Sequence, residues 1–142
     1  MEIIDIILFK PSSELNTKMP LFEMSVSAGI PIPVENDLQT EVDLNEYLVE
    51  HPATTFFAKV SGLNLQNYGV RDGDILIVDS SVVPIDGRLV LASMGNELTV
   101  KIYREIDNEV YLESGTHKFL PLNIGEIEFD LLGTVTKIIH SV

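Results

Sequence analysis

The chain has 142 residues, the length of one domain, and its 22 acidic side chains against 9 basic ones give a formal net charge of −13 at pH 7. A field of that sign repels phosphate backbones, so direct nucleic-acid binding by this chain alone is not expected, whereas a protein partner is. The absence of cysteine removes disulfide and thiolate chemistry, and His51, His117 and His140 have no ligand spacing, so no metal or other cofactor is expected. No apolar run approaches the ~18 residues of a membrane span. The short apolar stretch from Ile3 to Phe9 follows Glu2 rather than a basic region, which makes a poor signal peptide and leaves the cytoplasm as the expected compartment.

In chain order, residues 1–50 differ from the rest. Pro11, Pro20, Pro31 and Pro33 recur without any sustained period, and the stretch reads as an extended N-terminal arm. Asp43-Leu44-Asn45-Glu46 is a helix start, with Asp43 as N-cap, and predicts a short helix over 44–50 that ends before Pro52. From residue 54 the pattern is β. Strands are predicted over 55–60, 74–79, 89–94, 97–104, 109–113 and 129–139, from aromatic and β-branched runs broken by Asp72-Gly73 and Asp86-Gly87. Gly95-Asn96 between two of these runs is a hairpin signal. Residues 65–68 are the one helical candidate in this half, with Gly69 as C-cap. The expected fold is all-β with one or two short helices, a partly rolled sandwich or barrel over 51–142 preceded by the arm.

Two residues carry the chemical interest. Val60-Ser61-Gly62-Leu63-Asn64-Leu65 ends in Asn64 at a strand-to-helix turn, where Asn is a good N-cap. Lys101 follows 37 residues later in Glu97-Leu98-Thr99-Val100-Lys101. Strand alternation puts Leu98, Val100 and Ile102 on one face and Thr99, Lys101 and Tyr103 on the other, which by itself reads Lys101 as a solvated lysine on an outer face.

From Phe9-Lys10-Pro11 almost to the C-terminus the chain resembles the UmuD-like branch of the LexA-like S24 serine–lysine peptidases. The resemblance runs through Pro20-Leu21-Phe22, Ala28-Gly29-Ile30-Pro31, Asp43-Leu44-Asn45, His51-Pro52 and Ser61-Gly62. It continues through Asp72-Gly73-Asp74-Ile75-Leu76-Ile77-Val78-Asp79-Ser80, Gly87, Thr99-Val100-Lys101 and Gly133. It implies the S24 peptidase fold, a general base at Lys101, a nucleophile position at Asn64 and a self-cleavage bond between Ala28 and Gly29. It also implies a homodimer that meets the RecA–single-stranded DNA filament and a Y-family translesion DNA polymerase in the SOS response, without contacting a membrane. Asn64 departs from the family's serine, and Leu63 and Leu65 depart beside it. A carboxamide cannot be turned into an attacking alkoxide by a neutral lysine, so a cleavage-deficient accessory protein is expected. Three other readings stay open. One is an active RecA-stimulated serine–lysine autopeptidase that cuts Ala28-Gly29 with Ser61 or with another arrangement. Another is an interaction scaffold outside the SOS pathway. The third is a substrate cut in trans by an active UmuD homologue. The lack of a basic recognition helix before residue 50 argues against a repressor.

Overall fold

The computed structural model describes residues 6–9, 18–22, 39–62, 65–95, 97–114, 122–123 and 129–142. In chain order these hold β1 (Ile6–Phe9), β2 (Lys18–Phe22), β3 (Gln39–Asp43), α1 (Leu44–Leu48), β4 (Thr55–Val60) and a single 3-10 turn, Gln66–Tyr68. They continue with β5 (Ile75–Asp79), β6 (Leu89–Met94), β7 (Glu97–Ile106), β8 (Glu109–Glu113), β9 (Leu122–Asn123) and β10 (Phe129–Ile139). The chain divides into two units, Ser12–Glu50 and the combination of Met1–Pro11 with His51–Val142.

In the smaller unit β2 pairs antiparallel with β3, from Lys18 opposite Asp43 to Phe22 opposite Gln39. Pro20 is tolerated because a two-stranded ribbon leaves one side of each strand unpaired. The strand runs directly into α1, and Asp43 makes the change of direction. Its carboxylate accepts the Asn45 N–H at 2.9 Å, closing one of the orphan donors of the first turn. The helix stops at Val49, whose N–H bonds back to the Asn45 carbonyl at 2.9 Å, three residues before Pro52.

The larger unit is one eight-stranded antiparallel sheet in the order β1-β4-β5-β10-β6-β7-β8-β9. The first strand lies within the stretch that reads as an arm. Ile6–Phe9 has no proline and adds to the side of β4 that β5 leaves open, from Ile6 opposite Val60 to Phe9 opposite Phe57. The middle of the sheet is apolar on both faces, and β6 shows why its sequence does not alternate. Leu89 and Leu91 join a cluster with Ala58, Val60, Leu76, Val78, Val100, Ile102 and Val135, whereas Val90 and Ala92 join a second cluster with Leu112 and Tyr103. Burying both faces of a strand replaces the polar–apolar alternation with a continuous apolar run. Gly133 is required where β10 crosses β5. A Cβ there would lie 2.6 Å from Val78 Cγ1 and 3.1 Å from the Asp79 carbonyl carbon.

Candidate functional site

The described residues on either side of position 64 belong to a segment whose base is held shut. The Val60 N–H donates to the Asp74 carbonyl at 2.9 Å and the Gly73 N–H donates to the Val60 carbonyl at 2.7 Å, so residues 61–72 leave and rejoin the sheet at one point. Inside the loop the Gly62 N–H donates to Asp72 Oδ1 at 2.8 Å, and the Arg71 N–H donates to Asp74 Oδ2 at 2.7 Å. The carbonyl of Leu65 accepts from both Tyr68 and Val70, and Gly69, at φ +83°, closes the turn in the left-handed region that glycine adopts without strain. Leu65 and Val70 are 2% exposed and belong to the same apolar cluster as Val100 and Ile102 of β7. The turn after position 64 is thus packed into the core that the lysine's own strand helps to form. Leu63 and Asn64, like Ala28 and Gly29, lie outside the described residues. Ser61 is described and is partly buried at the mouth of the loop.

Lys101 sits in β7 opposite Val90 of β6 and is only 3% exposed. The expectation of a solvated lysine on an outer face does not hold. The face that carries Lys101 is covered by the second apolar cluster, and its neighbour two residues earlier, Thr99, is 2% exposed. Burial penalises the ammonium form and lowers the Lys101 pKa below its usual value. No carboxylate forms an ion pair with it among the described residues. An amine held towards its neutral form is what a proton acceptor beside a hydroxyl nucleophile requires.

Arg104, three residues further along β7, ties the surroundings together. Its Nε donates to Glu113 Oε2 at 2.7 Å and its Nη1 lies 3.9 Å from Asp86. Glu113 above all, with Tyr68 of the 65–70 turn nearby, pushes the Arg104 pKa up against the cost of burial, so the guanidinium is a fixed charge.

A second polar cluster escapes the sequence reading. Asp79, at the end of β5, has a side chain 4% exposed, and its carboxylate is closely partnered. His51 Nδ1 lies 2.6 Å from Oδ2, and Oδ1 accepts from Thr54 Oγ1 at 2.7 Å and from the Ser81 hydroxyl and N–H at 2.7 and 2.9 Å. Burial works against the ionised carboxyl, but the donors of Ser81, Thr54 and His51 outweigh it and hold the Asp79 pKa at about 2. Serine, histidine and aspartate meet here, but not as a catalytic triad. Ser81 Oγ lies 3.5 Å from His51 Nδ1, the same ring nitrogen that faces Asp79, whereas a triad uses opposite nitrogens for its acid and its nucleophile. The signal for this cluster was His51-Pro52 and Asp79-Ser80, 28 residues apart and without a local pattern to join them.

No helix among the described residues is long and apolar enough to cross a membrane. The family described as Peptidase S24-like matches residues 20–136. Protein MucA of Salmonella typhimurium is 40% identical over 83 residues, which are 58% of this chain and 57% of MucA. The LexA repressor of Colwellia psychrerythraea is 30% identical over 118 residues, 82% of this chain and 56% of the repressor. The matches to these two relatives thus span less than two thirds of their length, whereas protein SamA of Salmonella typhimurium is 31% identical over 141 residues and 95% of both chains. With an antiparallel β fold, a buried lysine in β7 and a match over most of its length, the chain belongs to the S24 peptidase-like family.

Proposed function

We propose that the chain is a UmuD-like accessory protein of SOS mutagenesis, an S24 homologue that has kept its base and lost its nucleophile. The carrying observation is that Lys101 is buried with its ammonium form disfavoured while the residue at the nucleophile position is Asn64. The similarity to MucA and SamA supports the pathway, and the strongly acidic surface supports work through protein partners rather than nucleic acid. In this reading residues 1–50 retain the role of a substrate-like arm with Ala28-Gly29 as a bond that this chain does not cut. A cytoplasmic homodimer engages a Y-family polymerase, and the RecA filament and an active UmuD homologue are further partners.

Incubation with activated RecA filament, or at pH 10 where lysine deprotonates, tests the chemistry by intact mass. The full-length chain is expected to persist, and a product beginning at Gly29 overturns the reading in favour of an active autopeptidase using Ser61. Restoring the hydroxyl by Asn64→Ser alone is expected to recover little cleavage. Adding Leu63→Asp and Leu65→Met is expected to recover at least tenfold more, because small misplacements of a nucleophile cost orders of magnitude. Equal rates for the single and triple variants would make the neighbouring residues irrelevant. Failure to bind any Y-family polymerase would leave a scaffold outside the SOS pathway.

A further inference from the structure

β1 and β4 are neighbours in the sheet but are separated in sequence by residues 10–54, a stretch that contains the whole of the smaller unit. The backbone of β4 shows what β1 supplies. The Val60 N–H donates to the Asp74 carbonyl at 2.9 Å and the Val60 carbonyl accepts from the Gly73 N–H at 2.7 Å, both on the β5 side. Backbone groups alternate in direction along a strand, so those of Lys59 and Phe57 point the other way, where β1 places Ile7 and Phe9 opposite them. Side chains alternate as well. Ala58 and Val60 are 0% and 1% exposed and belong to the large apolar cluster, whereas Lys59 is exposed. Without β1, β4 would present an unpaired backbone next to the core.

We infer that the side of β4 covered by β1 is a strand-acceptor site for a partner protein. Its occupant is an extended, proline-free segment with apolar residues at the alternate positions that fall opposite Ala58 and Val60. β1 shows the chemistry that the site accepts, since Ile6 stands opposite Val60 and Leu8 opposite Ala58. Main-chain pairing carries the addition of a strand to an edge, and alternate side chains give the selectivity, so another segment of the same pattern can take the place of β1. An uncovered edge of this kind is a template for pairing, and folds cover it. Here the cover is four residues long and reaches the sheet through a separate unit, so it can leave without unfolding of β4 or β5. β5 keeps the other side of β4 paired from Thr55 to Lys59 while that happens. The inference goes beyond the proposed function and stands whether or not the protein cuts itself.

The test uses the full chain. In the unaltered protein the N–H groups of Phe57 and Lys59 are expected to exchange with solvent at least tenfold faster than those of Ala58 and Val60, because β1 leaves while β5 stays. Equal rates would make β1 a permanent part of the sheet and overturn the inference. A fluorescein-labelled peptide with the sequence of residues 5–11, read by anisotropy, then probes the site. Ile7→Pro removes an N–H that β4 receives and is expected to bind the peptide at least tenfold more tightly than the unaltered chain. Absence of binding by that variant, with its melting transition intact, rejects the acceptor site. Ile7→Cys with Lys59→Cys, in a chain without other cysteines, locks β1 in place on oxidation and is expected to abolish binding until reduced. If the locked chain binds as well as Ile7→Pro, the peptide sits elsewhere and the assignment fails. Aspartate in the peptide at the positions of Ile6 and Leu8 is expected to abolish binding, and equal binding would refute the stated pattern. If Ile7→Pro forms a concentration-dependent dimer that the locked chain does not form and that the peptide does not dissociate, the occupant is a second copy and the partner reading is wrong.

Discussion

Asp79 and Lys101 are each 3% exposed and lie in strands of the same sheet, yet their charges are treated in opposite ways. Asp79 gathers donors from three residues and its pKa falls to about 2 against the cost of burial. Lys101 is shifted by burial alone, towards the neutral amine. A buried charge that the fold solvates with its own dipoles is an anchor, and one that the fold leaves unpaired is available for proton transfer. By that contrast Asp79 is a structural group, whereas Lys101, without an ion pair among the described residues, suits the base of the proposed function. The histidine–serine–aspartate cluster is thereby structural despite its familiar composition.

The largest effect is expected at Asp79. Asp79→Ala leaves the groups of His51, Thr54 and Ser81 without their shared acceptor, and removal of one partner from such a set costs about 3 kcal/mol. Thermal unfolding should then shift down by roughly 10 °C for a domain of this size. A loss below ~1 kcal/mol would break the view of Asp79 as an anchor.

The same group has a signature in acid. Its folded pKa of about 2 lies below the model value of 3.8, so the unfolded chain binds the proton more readily. The stabilisation is complete above the unfolded pKa and is lost as pH falls from ~4 towards the folded value, a change of about 2 kcal/mol. Denaturant titrations between pH 5 and pH 2 check this, since Asp79→Asn should remove most of the slope. An unchanged slope in that variant would assign the acid sensitivity to other carboxylates.

Lys101 should respond with the opposite sign to truncation of its charge. Lys101→Met keeps the length of the side chain and removes the penalty of a buried amine, so a gain of about 1 kcal/mol is expected at neutral pH. In the unaltered protein the folded state holds fewer protons than the unfolded state from the lowered Lys101 pKa up to 10.5, so stability rises with pH across that window. The rise should vanish in Lys101→Met. A destabilised Lys101→Met variant would show that the amine has a structural partner and would remove the contrast with Asp79.

The smallest effect belongs to Arg104, whose side chain is 30% exposed. Arg104→Gln should cost less than ~1 kcal/mol, as expected for a partly exposed ion pair. Its specific consequence is local. Hydrogen exchange in β7 and β8 around Arg104 and Glu113 should quicken while the amides of β5 and β6 stay protected, because the ion pair joins those two strands. Uniform exchange changes would make Arg104 a general surface residue rather than a local tie between β7 and β8.

Much of the sheet was legible before folding. The strands over 55–60, 89–94, 109–113 and 129–139 have the bounds that their residue runs predict, and Gly95 sits at φ +63° in the predicted hairpin. Asp43 caps α1, and Gly69 ends the 3-10 turn that stands where a short helix is expected. These features are legible because turn chemistry, caps and apolar runs act over a few neighbouring residues. The pairing of Ile6–Phe9 with β4 was not legible, since a short apolar strand joins whichever open side the fold offers.

The candidate site divides along the same line. Linear order alone determined that Lys101 stands where the resemblance puts a base, that Asn64 stands where it puts a nucleophile, and that a carboxamide cannot serve there. Tertiary structure decided that Lys101 is buried, because the cover on its side of β7 is Val90, Ala92 and Leu112, drawn from strands on both sides of it. It also decided that His51 and Asp79 meet across 28 residues. Each of these depends on which strands become neighbours, and strand neighbourhood is set by the register and packing of the whole sheet rather than by the local propensity of any segment.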